Sequence, residues 1–552
     1  MYTLGNMPDL IHRLFGQDIG FLNIVAELWS VELQAPNAKA ALPLLHANLL
    51  QKSLFSEIIS ALPKESQNAL TTLKRINGAM PWAIFTRQFG SLREMGAGKR
   101  DRLKPHRNPV SSCEALWYRA LIGRDFLDIS GEIQDCAYIP NEFLKWLPQP
   151  PHEPMPLLGN LALPEDTNNI TISTDHILDL SCTLLAISRL IQADPISNLR
   201  DWVPSKQELM TFLKGLNIID KDGLPNPDLA RPLLESPRGD ALLTLAQGWL
   251  GSTKFNDLSS VSSLVFEGQW HYDPVTTRKI VLDQIAQIPS DTWWSIDAFV
   301  KSIFTYLPDF LRPTGNYDNW KIHSSLTGEP LQGFTCWHDV EGALIRHLIT
   351  GPLYWLGYLD LSSRRHSEEP ASFRKSAWFT ALYSGSTPDK MTQEKDPVEV
   401  TSAGILLMTN STPRIARYLI SRFCLWESIS EQNYQYRLTP SSLFDARQQG
   451  LTISHLIRLL RRYSKSSPAP SLIKALKQWD QAGTETEFEQ LCVLRVKRQE
   501  IMEELRLTPA ARFLGEPLGP LSVIVPLKAV DKVMAALARL GYLSDITLRG
   551  EK

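Results

Sequence analysis

The sequence predicts a mainly α chain with small β hairpins, an α+β fold built from several modules. Three observations carry that expectation. Apolar residues recur at helical spacing, as in Glu65 to Asn77, where Ala69, Leu70, Leu73 and Ile76 share one face. Short aromatic or alternating runs bounded by turn residues interrupt the helices, such as Phe126-Leu127-Asp128-Ile129 and Cys136-Ala137-Tyr138-Ile139. Two stretches unfit for regular structure divide the chain: the proline-rich 148–156 and the polar, aperiodic Ser384 to Pro397.

A chain of 552 residues has room for about three to five domains of ordinary size. The expected units are 1–147, 157–270, 271–385 and 396–552. Hydrophobic residues are 43% and charged residues 21%, which excludes a disordered chain. The net charge is −2, so any nucleic-acid surface must be local. Cys113, Cys136, Cys182, Cys336, Cys424 and Cys492 are too far apart for a zinc ribbon or a CxxC pair. With no secretory signal and no apolar run of about 18 residues, a soluble cytoplasmic protein with no membrane span is expected.

The first unit opens with mostly helical sequence over 1–62. The helix from Glu65 ends at Gly78, and a short second helix runs from Pro81 to Phe89. Then comes a basic loop, Met95-Gly96-Ala97-Gly98-Lys99-Arg100-Asp101-Arg102-Leu103-Lys104. Its Gly-Ala-Gly-Lys is not a nucleotide-gripping loop. Such a loop needs a glycine five before Gly98, where Arg93 stands, and a metal-binding hydroxyl after Lys99, where Arg100 stands. Ser111 or Ser112 caps a third helix whose buried stripe is Cys113, Leu116, Trp117, Ala120 and Leu121. The Phe126 and Cys136 runs then pair across a Ser130-Gly131 turn. Three helices followed by a hairpin is the order of a winged helix, here over about 65–145.

The pattern recurs. Thr276 to Ile288 is helical, with Ile280, Val281, Ile285 and Ile288 inward. Ser295 caps a second helix through Leu307, and Trp337 to Ile349 is a third. An aromatic strand over Leu353 to Leu361 follows, and Ser363 to His366 form a wing before Trp378 and Phe379. Glu114-Ala115-Leu116 with Gly123, and Gly342-Ala343-Leu344 with Gly351, form a weak internal repeat. Between them, 157–270 is helical, possibly a degenerate copy, with Ser205 capping Lys206 to Leu216 and a turn at Asp222-Gly223.

The last unit alternates. Val398 to Val400 and Gly404 to Met408 read as paired strands. Thr439 caps a helix that has Pro440 at its first position and ends at Gly450. Thr452 caps Ile453 to Tyr463, and Pro468 to Trp479 is a further helix. A strand over Leu491 to Val496, a helix over Gln499 to Leu507, a strand at Val523 to Pro526 and a helix over Leu527 to Leu540 complete a small α/β unit.

Tyr436-Arg-Leu-Thr-Pro-Ser-Ser-Leu-Phe-Asp-Ala-Arg-Gln-Gln-Gly-Leu, followed by Ile457-Arg-Leu-Leu, resembles the N-terminal domain of XPB-type DNA helicases. Cys492-Val-Leu-Arg-Val, Leu505 and Leu540-Gly-Tyr-Leu fit the same pattern. Asn108-Pro, Glu114-Ala-Leu-Trp-Tyr-Arg-Ala-Leu-Ile and Tyr138-Ile-Pro-Asn-Glu-Phe are similar to bacterial helicase-associated proteins that carry this domain without the motor. The C-terminal likeness covers about the last 150 residues and the upstream one about 65–145. The resemblance implies tandem winged helices followed by a C-terminal docking domain, a link to transcription, repair or another duplex-handling process, and a helicase or ATPase subunit as partner. It carries over no catalytic residue.

Three functions compete. The first is a non-catalytic DNA-binding or helicase-associated adaptor, with phosphates met by Lys99, Arg100, Arg102, Lys104, Arg107, Arg119 and Arg124, and at the second wing by Arg364, Arg365, Arg374 and Lys375. The same cations also suit an ordinary solvated surface. The second is a pure protein–protein scaffold without direct DNA contact, for which surface aromatics among the 15 tryptophans, such as Trp293-Trp294, are the candidates. The third is an enzyme. No HExxH or Gly-x-Ser-x-Gly is present, His152, His271, His323, His338, His347 and His366 lack metal spacing, and Glu368-Glu369 and Asp220/Asp222 read as a loop and a turn. The expectation is therefore no catalysis, no cofactor and no metal.

Overall fold

A computed structural model describes residues 7–129, 132–151, 154–190, 203–268, 270–430, 433–486 and 492–545. The Ser130-Gly131 turn, His152 and Leu491 lie outside the described residues. The fold is mixed α and β: many short helices and, among the described residues, five small antiparallel sheets.

The first core gathers residues 7–147. Helices α1 (Leu10–Leu14), α2 (Ile19–Leu28), α3 (Ala38–Leu49) and α4 (Lys52–Ala61) form its N-terminal layer. Asp9, Asp18 and Asn37 cap the first three by accepting first-turn N–H groups. The sequence then builds α5 (Lys64–Arg75), β1 (Ala79–Pro81), α6 (Trp82–Phe89), α7 (Ala97–Leu103), α8 (Ser112–Tyr118), β2 (Gly123–Ile129) and β3 (Glu132–Tyr138). The sheet order is β1–β3–β2. Trp29 is fully buried, stacked at 5.6 Å on Phe143. It joins the N-terminal layer to α9 (Asn141–Trp146). Each such buried side chain contributes about 1.5–3 kcal/mol. Gly123 is required by packing: a Cβ there would lie 2.3 Å from the Tyr138 ring.

The basic stretch is not the expected loop. Residues Ala97–Leu103 are the helix α7, despite Gly98, which costs about 1 kcal/mol relative to alanine. The tie between Arg100 and Asp18 offsets that cost and fastens α7 to α2.

Among the described residues one second core spans Leu158 to Leu382, so the two units expected on either side of residue 270 share one interior. Its elements are β4 (Asn169–Thr171), α10 (His176–Ile187), α11 (Lys206–Gly215), α12 (Pro227–Glu235), α13 (Arg238–Gly251), β5 (Leu264–Glu267), α14 (Pro274–Gln287), β6 (Trp294–Ser295), α15 (Ile296–Tyr306), β7 (Lys321–Ser324), α16 (Ala343–Thr350), α17 (Pro352–Trp355), β8 (Leu359–Ser363), β9 (Pro370–Lys375) and α18 (Phe379–Ser384). The Ser205 and Ser295 caps are present, the former as a capping box with Glu208. A π-turn, His338–Gly342, precedes α16. The aromatic strand starts later than expected, at Leu359, because Pro352 opens the helical turn α17. The returning strand is β9, and Phe379 begins α18 instead.

In both cores a short strand runs into a helix, another helix follows, and a hairpin returns with its second strand central. The orders are β1–β3–β2 and β6–β9–β8, the latter extended by β4. The weak sequence repeat thus coincides with repeated connectivity.

The stretch from Gly385 to Pro397 has no regular element, as its composition suggests. It is nonetheless pinned: Thr387 donates to Asp240 at 2.7 Å, and Glu394 accepts from Arg238 and Arg414.

The last unit holds two cores. The first comprises β10 (Glu399–Val400), β11 (Ile405–Thr409), α19 (Arg414–Ser421), β12 (Leu425–Ile429), β13 (Asn433–Arg437), α20 (Pro440–Gln448), α21 (Ile453–Tyr463) and α22 (Pro470–Ala482), with sheet order β10–β11–β13–β12. Thr439 and Thr452 cap α20 and α21. Gly450, at φ 77°, makes the left-handed turn between them. The second core contains β14 (Cys492–Arg495), α23 (Gln499–Arg506), β15 (Pro517–Gly519), β16 (Ser522–Val525) and α24 (Val530–Arg539), ordered β14–β16–β15.

Candidate functional site

The cations expected to meet phosphate divide into two kinds. On α7, Arg100 turns inward and is buried. Its Nη1 and Nη2 lie 2.7 and 2.6 Å from the two Asp18 carboxylate oxygens, and Asp101 takes a further bond. The Arg100 hydrogen bonds hold the Asp18 carboxyl at about 2, below the usual carboxylate range. Arg107 donates to Glu27 at 2.8 Å. Arg119 is half-buried and donates to the Ala115 carbonyl at 2.9 Å. Arg124 pairs with Asp135 at 2.7 Å and lies 4.9 Å over the Trp82 ring. Lys99, Arg102 and Lys104 are exposed and make no ion pair among the described residues.

The second set behaves similarly. Arg364 pairs with Asp166 at 2.7 Å. Arg374 pairs with Asp360 at 2.9 Å and lies 4.8 Å over Trp293. Lys375 donates to the Ala286 carbonyl at 3.1 Å. Arg365 is exposed, as are Glu368 and Glu369 a few residues on. Most of these cations therefore brace the fold. To meet a phosphate, each braced one must first leave a carboxylate or carbonyl.

The third helices are packed inside. In α8, Cys113, Glu114, Ala115, Leu116 and Tyr118 are buried. Glu114 is fully buried and accepts from Arg93 at 2.7 Å and from the Val110 N–H at 2.9 Å. Arg93, the residue that broke the phosphate-loop pattern, thus neutralises a buried carboxylate. In α16, Leu344, Ile345, Leu348 and Ile349 are buried, and the exposed Arg346 is tied to Asp297. Neither helix offers a face that could enter a DNA groove.

The hairpin β2–β3 is unlike a phosphate-binding wing. Its register pairs Phe126 with Asp135 and Asp128 with Ile133, so these four share one outer face. Phe126 is 71% exposed and Ile133 77%. Glu132 stands at the tip. The face is apolar and carries two carboxylates, one of them, Asp135, tied to Arg124 on the same face. The β8–β9 hairpin has no free outer edge, because β4 pairs with β8.

A cationic face without carboxylates lies elsewhere. On α21, His455, Arg458, Arg461 and Arg462 are exposed, and Lys465 follows. The sequence signal was available: residues 446–479 contain no Asp or Glu.

Among the described residues no His, Cys, Asp and Glu cluster could hold a metal ion. His338, in the π-turn, is exposed, and His347, on α16, is half-buried. The cleft between Cys182, Arg417, Trp426 and Tyr434 is filled by its own side chains. Glu341 has the one strongly raised carboxyl among the described residues: burial pushes it up to about 7, and the Arg312 charge offsets only part of that. Arg312 Nε lies 2.7 Å from a Glu341 oxygen, yet the two are not aligned for a hydrogen bond.

Fold and surfaces together describe a mixed α/β chain whose distinctive surfaces are an apolar, acidic hairpin and a cationic helix. Comparison with protein-family models and with curated proteins finds no match. No helix among the described residues is long and apolar enough to cross a membrane.

Proposed function

We propose that the chain is a non-catalytic adaptor in a helicase-associated complex, one that binds its partners and transforms none of them. The repeated strand–helix–helix–hairpin connectivity supports a winged-helix reading of both units. Because α8 and α16 are spent on packing, these units favour protein docking over groove reading. The observation that carries the proposal is the exposed Phe126–Ile133 pair on an acidic hairpin. Large apolar side chains held out on a rigid strand pair serve as anchors in a partner's pocket, and the surrounding carboxylates select a basic rim.

The experiment replaces Phe126 with a photo-crosslinking amino acid in cells. The expected result is a discrete protein adduct, abolished by Asp128→Lys with Asp135→Lys. Adducts only to nucleic acid, or none, would overturn the docking reading. ATP consumption by the purified chain would overturn the non-catalytic one. A second reading, DNA phosphate contact through α7, is favoured by the exposed Lys99, Arg102 and Lys104. A duplex titration in which Lys99→Ala, Arg102→Ala and Lys104→Ala flattened the salt slope would support it.

A further inference from the structure

Helices α20 and α21 are joined by the four residues Gln449 to Thr452, turned by Gly450. In α21, Ile453, Leu456, Ile457 and Leu460 are buried in the C-terminal unit's first core. Their spacing consumes one face completely. At 3.6 residues per turn, His455, Arg458, Arg461 and Arg462 fall within about 120° of arc on the opposite face. They extend over about 10 Å of helix axis. Lys465 continues the stripe, and Lys474 and Lys477 are exposed on the adjoining α22.

Four features separate this stripe from an ordinary solvated helix. First, residues 446–479 hold seven Lys and Arg and no Asp or Glu, in a chain whose net charge is −2. Second, Arg458, Arg461, Lys465, Lys474 and Lys477 make no ion pair among the described residues, whereas most arginines of the first two cores are paired. Third, α21 has no acidic residue in its first turn, so the positive end of its dipole is uncompensated. The C-terminal end of that dipole accounts for Arg461 and Arg462, but not for Arg458, Lys474 or Lys477. Fourth, the helix is anchored at its end: the Val398 N–H donates to the carbonyl of Tyr463, its last residue, at 2.8 Å.

We infer that the exposed face of α21 is a binding surface for the phosphate backbone of double-stranded DNA. This site is separate from the acidic hairpin, and the inference goes beyond the adaptor reading without depending on it. The chemistry selects the occupant. A bilayer surface needs apolar side chains to insert, and those of α21 are already in the core. Single strands need a row of exposed aromatic platforms; Tyr463 and Trp479 are partly buried beneath Arg462 and Arg447, and the exposed Phe444 belongs to α20, not to the stripe. A B-form major groove admits a helix, whereas the A-form groove of duplex RNA is too deep and narrow. The second helix of a tight helical pair is the geometry that presents such a face.

The experiment is fluorescence anisotropy of the full chain with a labelled DNA duplex at several salt concentrations. Changing Arg458, Arg461 and Arg462 together to Gln should weaken binding at least about tenfold at moderate salt, and the salt slope should fall by about 2–3. The three corresponding changes to Lys should retain most of the affinity. Because all three positions are exposed, thermal unfolding should match the parent chain. The inference is overturned if the parent chain does not bind duplex, if the Gln variant keeps its affinity and slope, or if phosphatidylserine vesicles are bound and duplex is not. Since the hairpin is read by crosslinking, failure here leaves the docking result untouched.

Discussion

Asp179→Asn tests whether the C-terminal unit is fixed to the rest of the molecule by a buried charge network. Asp179 lies on α10 and is almost fully buried. It accepts from Arg238 at 2.8 Å and from Arg417 of α19 at 2.5 Å. Arg238 keeps Asp175 and Glu394 as partners, whereas among the described residues Arg417 keeps the Thr412 carbonyl and the Tyr434 ring but no carboxylate. Burial alone would raise the Asp179 carboxyl. The hydrogen bonds from His176 and Arg238, with the charges of Arg417 and Arg238, hold it well below the usual range instead. Replacing the carboxylate with an amide leaves Arg417 a buried, unpaired cation, which costs about 3–5 kcal/mol. For a unit of this size that is a Tm loss of roughly 6–20 °C. Differential scanning calorimetry at pH 7 should show the loss, with the C-terminal transition separating from the main one. A group whose folded pKa is depressed stabilises above its unfolded pKa of 3.8, and that stability is lost as pH falls through the folded value. The variant should therefore show a shallower acid limb. A Tm within 2 °C of the parent and an unchanged acid limb would refute the argument.

Glu341→Gln should act in the opposite direction. Its folded carboxyl sits at about 7 against an ordinary 4.5, so the neutral acid is the form the core accepts, and stability is lost as pH rises through 7. The substitution removes that titration together with the charge facing Arg312, so stability should fall less between pH 5 and pH 8 in the variant than in the parent chain, as read by urea denaturation at the two pH values. Gly123→Ala drives a Cβ to 2.3 Å from the buried Tyr138 ring and should cost about 1–3 kcal/mol in the same assay. An effect below about 0.5 kcal/mol would mean that the ring moves freely.

Local chemistry was legible where one residue decides it. Ser111, Ser205, Ser295, Thr439 and Thr452 each cap the helix their position implies, because a cap needs only a side-chain oxygen and the next three residues. The repeated connectivity was legible through helical spacing. What long-range partners decide was not. Helix α7 carries two glycines at its start and exists because Arg100 reaches Asp18 far back in the chain. The shared core across residue 270 is tied by Arg278 of α14, whose buried guanidinium donates to Asp257 and the Trp249 carbonyl, partners that no local pattern announces. The candidate phosphate contacts were chosen by counting cations along the sequence. Their carboxylate partners, Asp18, Glu27, Asp135, Asp166 and Asp360, come mostly from other elements.

That contrast identifies which feature of a sequence reports unpaired surface charge. A dense run of Lys and Arg reports little, because a fold of near-zero net charge supplies a carboxylate to most of them. The acid-free interval reports more. On α21 the nearest carboxylates in sequence are Asp445 and Asp480, and Asp480 is engaged by Arg447. Intrahelical i,i+4 pairing is therefore impossible along the stripe, and its field extends into solvent. On β2–β3 the reverse holds: Arg124 is the exposed cation among Asp125, Asp128, Glu132 and Asp135, so a polyanion is repelled there. Opposite charges gathered on separate rigid elements cancel in the total while leaving two surfaces of opposite preference.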